Sequence, residues 1–127
     1  MRRLGIGVLS AVALTALAGM AAAGSSFESE VTIHAHQKAH GTFNADGKVK
    51  SSKHACEKQR KVVLYGRKAS DPQHPKRLGA DVTNDAGDWQ VSGVDGLGLK
   101  SIQAKAKPKD IAAGICKRAG SRHLRFA

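Results

Sequence analysis

Leu78-Gly79-Ala80-Asp81-Val82-Thr83-Asn84-Asp85-Ala86-Gly87-Asp88-Trp89-Gln90-Val91 decides how this 127-residue chain folds. Leu78, Ala80 and Val82 alternate with Gly79, Asp81 and Thr83, the period of a half-buried strand. Asn84-Asp85-Ala86-Gly87 is a strong turn, and Trp89 and Val91 restart the alternation beyond it. The pattern predicts a strand, a tight turn and a second strand. No helical apolar stripe runs through it.

The same period recurs on both sides. Upstream, Val31, Ile33 and Ala35 alternate with Thr32, His34 and His36. Residues 41–49 carry Phe43 and Val49 around Asp46-Gly47, a pair that suits a tight hairpin turn. Val62-Val63-Leu64-Tyr65 is a β-branched and aromatic run closed by Gly66, and residues 70–75, with Pro72 and Pro75, read as a loop. Downstream, Ile102, Ala104 and Ala106 face one way, with Gln103, Lys105 and Lys107 opposite, until Pro108 ends the strand. Residues 111–115 fit either one helical turn or an irregular bridge. Leu124 and Phe126 close the chain as a last short strand. Short strands at roughly 8–12-residue spacing predict an all-β fold, a single antiparallel β-sandwich of about six or seven strands.

The N-terminus sets the compartment. Arg2 and Arg3 precede an apolar run from Leu4 to Met20 that ends in Ala21-Ala22-Ala23, the layout of a secretory signal peptide cleaved before Gly24. Gly5, Gly7, Ser10 and Gly19 make the run too weakly apolar for a permanent span of about 20 residues. The expected organisation is a signal peptide over 1–23, a flexible lead over 24–29 and one β-sandwich domain over 30–127. The mature chain is then secreted or associated with the cell envelope, with no transmembrane segment. Cys56 and Cys116, an even pair in an exported chain, suggest one disulfide. Closing a loop of about 60 residues stabilises by roughly 4 kcal/mol on the chain-entropy model. Two separate buried thiols are the competing reading, weaker in an exported chain.

The stretch from Val62 and Leu64 through Leu78 to Trp89 resembles the core hairpin of small extracellular β-sandwiches. These are the carboxypeptidase-regulatory-like, transthyretin-like and Cna-B-type modules. Their pattern is a Thr-Asp or Thr-Asn pair, a short turn ending in Gly, then an aromatic on the next strand. Thr83-Asn84, Gly87 and Trp89 match it. A cysteine before the Val62 strand and another before the final strand resemble small bacterial exported proteins of this type. The resemblance implies a non-catalytic module, structural or adhesive, and carries over no catalytic residue. The Lys and Asn pair with a catalytic acid that would form an internal isopeptide bond is not recognisable.

Charge supplies the candidate partners. The chain has 21 basic and ten acidic residues, net +11. Without Arg2 and Arg3 the balance is 19 against ten, or +9. Such a field favours anionic partners such as cell-wall polymers, acidic glycans, lipid headgroups or nucleic acid, and an envelope protein is a further candidate. Two basic groups stand out. One is Lys48, Lys50, Lys53, Lys58, Arg60 and Lys61. The other, the candidate polyanion site, is Lys105, Lys107, Lys109, Lys117, Arg118, Arg122 and Arg125. Nucleic acid is disfavoured, because Phe43, Trp89 and Phe126 sit at core-like positions and leave no stacking platform.

His34, His36 and His40 form the alternative, an extracytoplasmic Cu²⁺ or Zn²⁺ site, with His34 and His36 on one strand face roughly 6.5–7 Å apart. Solvent-facing histidines on an exposed sheet are the simpler expectation, and no cofactor is predicted. Asp81, Asp85 and Asp88 crowd one turn, where capping is more natural than Ca²⁺ binding. Gly-x-Ser-x-Gly, His-Glu-x-x-His and phosphate-cradling loops are all missing, and the expectation is a chain that is not an enzyme.

Overall fold

The computed structural model describes residues 25–38 and 41–126. The expected signal peptide and its cleavage point at Gly24 lie outside the described residues, as does His40. The described chain is all-β. Its strands are β1 (Ser26–Phe27), β2 (Ser29–Val31), β3 (His34–Gln37), β4 (Thr42–Ser51), β5 (Lys61–Lys68), β6 (Asp71–Val82) and β7 (Asp88–Asp95). Then come β8 (Leu99–Ala106), β9 (Lys109–Ile111), β10 (Gly114–Cys116), β11 (Ala119–Gly120) and β12 (Leu124–Arg125). A 3₁₀ turn, His54–Cys56, joins β4 to β5. Among the described residues no helix is long and apolar enough to cross a membrane.

Several short elements are fragments of longer strands. β2 and β3 pair with β4 in one uninterrupted register, from Ser29 opposite Ser51 to Gln37 opposite Phe43, and break only at Thr32-Ile33. β11 and β12 both pair with the same edge of β8. With fragments joined, one sheet runs β2/β3–β4–β7 and the other β11/β12–β8–β5–β6. The first, second and fifth strands share a sheet, as do the seventh, sixth and third, which is the immunoglobulin-like Greek-key arrangement. The fourth strand, β6, flanks the third. A small sheet of β1, β10 and β9 closes one end, where Cys56 and Cys116 form a disulfide.

Between the sheets lies one core. β4 supplies Phe43, Ala45 and Val49; β7 supplies Trp89, Val91 and Val94; β5 and β8 answer with Val62, Leu64, Ile102, Ala104 and Ala106. The period-two reading of residues 102–106 holds residue by residue. The turn at 84–87 also holds: Gly87 takes φ 84° and donates to the Asn84 carbonyl, while Asn84 Oδ1 accepts from the amides of Ala86 and Asp88.

Five expectations are corrected. Asp46-Gly47 is not a turn but lies inside β4, because the Thr32 carbonyl and the Trp89 indole Nε1 occupy the space a side chain at Gly47 would need. Gly66 does not close β5; Leu78 and Leu99 pack over it and the strand continues to Lys68. Residues 71–75 are not a loop but the start of β6. An edge strand tolerates Pro72 and Pro75, since one side of its backbone needs no partner. Ala80 and Val82 face outward, Val82 being 54% exposed, because Leu78 forms a bulge between the Leu64–Gly79 and Tyr65–Arg77 pairs. Residues 109–116, left open by the sequence, form the β9–β10 hairpin. Ser26 and Phe27, expected in a flexible lead, pair in parallel with Ile115 and Cys116.

Candidate polyanion-binding face

Alternation on β5 and β8 points Val62, Leu64, Ala104 and Ala106 into the core, so Tyr65, Arg67, Gln103 and Lys105 emerge on the outer face of the four-stranded sheet. Tyr65 sits opposite Gln103 and diagonal to Lys105. The Lys105 ammonium lies 5.3 Å from the Tyr65 ring centroid, and Lys107 Nζ is 3.4 Å from the phenol oxygen. A single aromatic ring thus orders two exposed cations. Arg118 and the backbone at Gly120 complete a cleft of about 450 Å³ around them. Among the described residues no carboxylate lines this cleft.

The seven basic residues of the sequence reading separate into three groups. Lys105, Lys107 and Arg118 line the cleft, and Arg125 lines a neighbouring depression on the same face with Arg67, Lys100 and His123. Arg122 lies beside Glu30 in a different depression. Lys109 and Lys117 serve the fold. Lys109 Nζ donates to the carbonyls of Ala55 (3.0 Å) and Lys58 (2.7 Å), and burial, with the nearby charges of Lys58 and Arg60, pushes its pKa down. Lys117 pairs with Glu28 at 2.8 Å. Tyr65, Arg67 and Gln103 are members of the face that charge counting alone passes over. The alternation of β5 carried the signal, since inward Val62 and Leu64 require outward Tyr65 and Arg67.

Two members of the other basic group are engaged internally. Lys48 pairs with Asp88 at 2.6 Å, which lowers the Asp88 pKa. Arg60 is completely buried. Its guanidinium donates to the carbonyls of Lys107 (2.6 Å), Cys56 (2.9 Å) and Lys117 (2.6 Å) and to Ser29 Oγ (3.0 Å). Burial pushes its pKa down, and these four acceptors compensate the lost hydration.

His34 and His36 lie on the outer face of the opposite sheet. His34 and His36 both approach Asp46, at 3.9 and 3.2 Å. Among the described residues no group of three His, Cys, Asp or Glu side chains is arranged to hold a metal ion. The aspartates around the turn have separate partners: Asp81 accepts from the Gln90 amide, Asp85 from Gln59 and Asp88 from Lys48. No protein-family model, curated protein or solved structure matches the chain.

Proposed function

We propose that the chain is an exported, non-catalytic binding module that contacts anionic polymers of the cell envelope. The contact surface is the outer face of β11/β12–β8–β5–β6. One observation carries the reading: Lys105 and Lys107 meet on Tyr65, beside Arg118, in a cleft that no carboxylate lines among the described residues. Cations held on a common ring lose less freedom on binding than free surface lysines do. The Cys56–Cys116 disulfide fits an oxidising, extracytoplasmic setting, which supports export. The Thr83-Asn84, Gly87 and Trp89 pattern supports a place among carboxypeptidase-regulatory-like or transthyretin-like modules, whose role is structural or adhesive.

The test is an amide-resolved NMR titration of the exported protein with polygalacturonate at low salt. Shifts centred on Lys105, Lys107, Arg118 and Arg125, erased as salt rises, are expected. Shifts centred on His34 and Asp46, or no response at low salt, would overturn the reading.

A further inference from the structure

We propose that Arg67, Ser101 and Arg125 form a discrete site for the tetrahedral oxyanion of a phosphate or sulfate ester. Strand register builds it. Arg67 of β5 stands directly opposite Ser101 of β8, and Ser101 directly opposite Arg125 of β12. Directly opposed residues share a face of the sheet, with Cβ atoms about 5 Å apart. The serine is therefore the middle of a row with an arginine on each side. The row faces outward, because the next pair along, Ile102 and Leu124, packs into the core.

Ser101 supplies the observation that points to a ligand. It is only 7% exposed, yet its hydroxyl has no hydrogen-bond partner among the described residues. Polar groups so deeply covered normally have one. The residue lines a depression of about 280 Å³ together with Arg67, Arg125, Lys100 and His123. Among the described residues no carboxylate lines this depression, and Asp71, beside its Pro72 wall, is engaged by His74 at 2.7 Å.

The donor set selects the ligand. Arg67 commits one terminal nitrogen to the Pro72 carbonyl at 2.9 Å, which steadies the side chain and leaves its remaining donors for an anion. Arg125 has no hydrogen bond or ion pair among the described residues. Two guanidinium forks at the sides and a hydroxyl between them offer donors from three directions. A tetrahedral group with three free oxygens can use all three, whereas a planar carboxylate has two oxygens in one plane. The depression shares no lining residue with the Tyr65 cleft, so this site does not need the polymer contact proposed there.

The experiment is an amide-resolved NMR titration of the protein with inorganic phosphate, sulfate and acetate, at one pH and constant ionic strength. Saturable shifts around Arg67, Ser101 and Arg125 are expected with phosphate or sulfate, binding about ten-fold or more tighter than acetate. Ser101→Ala should weaken the oxyanion several-fold. Arg125→Gln should weaken it about ten-fold, and Arg125→Lys should recover only part, since an ammonium lacks the fork. Lys105→Gln with Lys107→Gln should leave it unchanged, and each variant's amide spectrum checks its fold. Tighter phosphate supports the site with a phosphate ester as its source; tighter sulfate supports it with a sulfate ester. Acetate binding as tight as either oxyanion, or indifference to Ser101→Ala, would overturn the site. Shifts centred on Lys105, Lys107 and Arg118 would overturn it by placing the anion in the Tyr65 cleft. Polygalacturonate binding without a saturable response to phosphate or sulfate would overturn this site alone and spare the proposed function.

Discussion

Arg60, just ahead of β5, and Lys105, within β8, carry the same charge, yet their surroundings are opposite. Arg60 precedes β5 at the end of the sandwich closed by the disulfide, fully buried, its donors divided among Lys107, Cys56, Lys117 and Ser29. Lys105 lies exposed on the outer face, resting on Tyr65 with no acidic partner in its cleft. One cation fastens four segments of chain; the other stays exposed on the surface. The net charge of +11 is therefore not a measure of binding capacity, because Arg60, Lys109, Lys117 and Lys48 are engaged internally. What separates the two classes is the acceptors within reach.

If the closed end governs stability, breaking its covalent link has the largest effect. Replacing Cys56 and Cys116 together by Ser releases a loop spanning a sequence separation of 60. The expected loss is about 4 kcal/mol, read from urea denaturation, with the amide shifts around Tyr65 preserved in the fraction still folded. A loss below about 1 kcal/mol would mean that the end is held by its hydrogen bonds alone.

Arg60→Met comes next. It keeps much of the buried volume and removes the donors, leaving the Lys107, Cys56 and Lys117 carbonyls short of partners. At roughly 1–3 kcal/mol for each buried acceptor left unpaired, and with partial relief by water, the expected loss is about 3 kcal/mol. Arg60→Lys should restore only part of it, since an ammonium cannot span the same four acceptors. A neutral result for Arg60→Met would erase the distinction between the two regions.

Lys105→Gln with Lys107→Gln sharpens the contrast from the other side. Stability should stay within about 0.5 kcal/mol of the parent, as for surface changes without a buried partner. The salt dependence of polygalacturonate affinity should become shallower by about 1.5 logarithmic units per decade, close to two released counterions. A stability loss comparable with Arg60→Met would show that these lysines brace the fold.

The sequence reading reached the sandwich because core burial writes itself as alternation. Ile102, Ala104 and Ala106 in β8 and the Thr83 to Trp89 turn were legible for that reason. It failed wherever a residue answers to a distant neighbour. Gly47 looks like a turn glycine, but its place in β4 is set by Thr32 and Trp89 packing against it. The Leu78 bulge inverts Ala80 and Val82, and no local period announces it. Arg60 sits in a run of basic residues, and its burial depends on carbonyls from segments 47 and 57 positions away. Half of the proposed binding face was legible from Lys105 and Lys107. Of the rest, Tyr65 followed from the alternation of β5, while Arg67 was missed because the strand was expected to end at Gly66.

The smallest effect concerns the one acid at the closed end whose carboxylate is tied to the backbone. Glu57 Oε2 accepts the Ser51 amide at 2.9 Å and Oε1 meets His54 Nδ1 at 3.1 Å. The Ser51 hydrogen bond is the main cause that holds the Glu57 pKa below its ordinary 4.5, with His54 adding to it. A carboxylate depressed in the folded state contributes stability above its unfolded pKa and loses it as pH falls through the folded value. Glu57→Gln keeps an acceptor for Ser51 but removes the charge, so the cost at neutral pH should be under about 1 kcal/mol, given solvent screening at this partly exposed site. Below pH 4.5 the two proteins should converge in urea midpoint. Binding to the outer face should not differ between them at any pH where both are folded. A gap that persists at low pH would place the effect in packing; a change in polygalacturonate affinity would couple the closed end to the outer face and break the separation between the two regions.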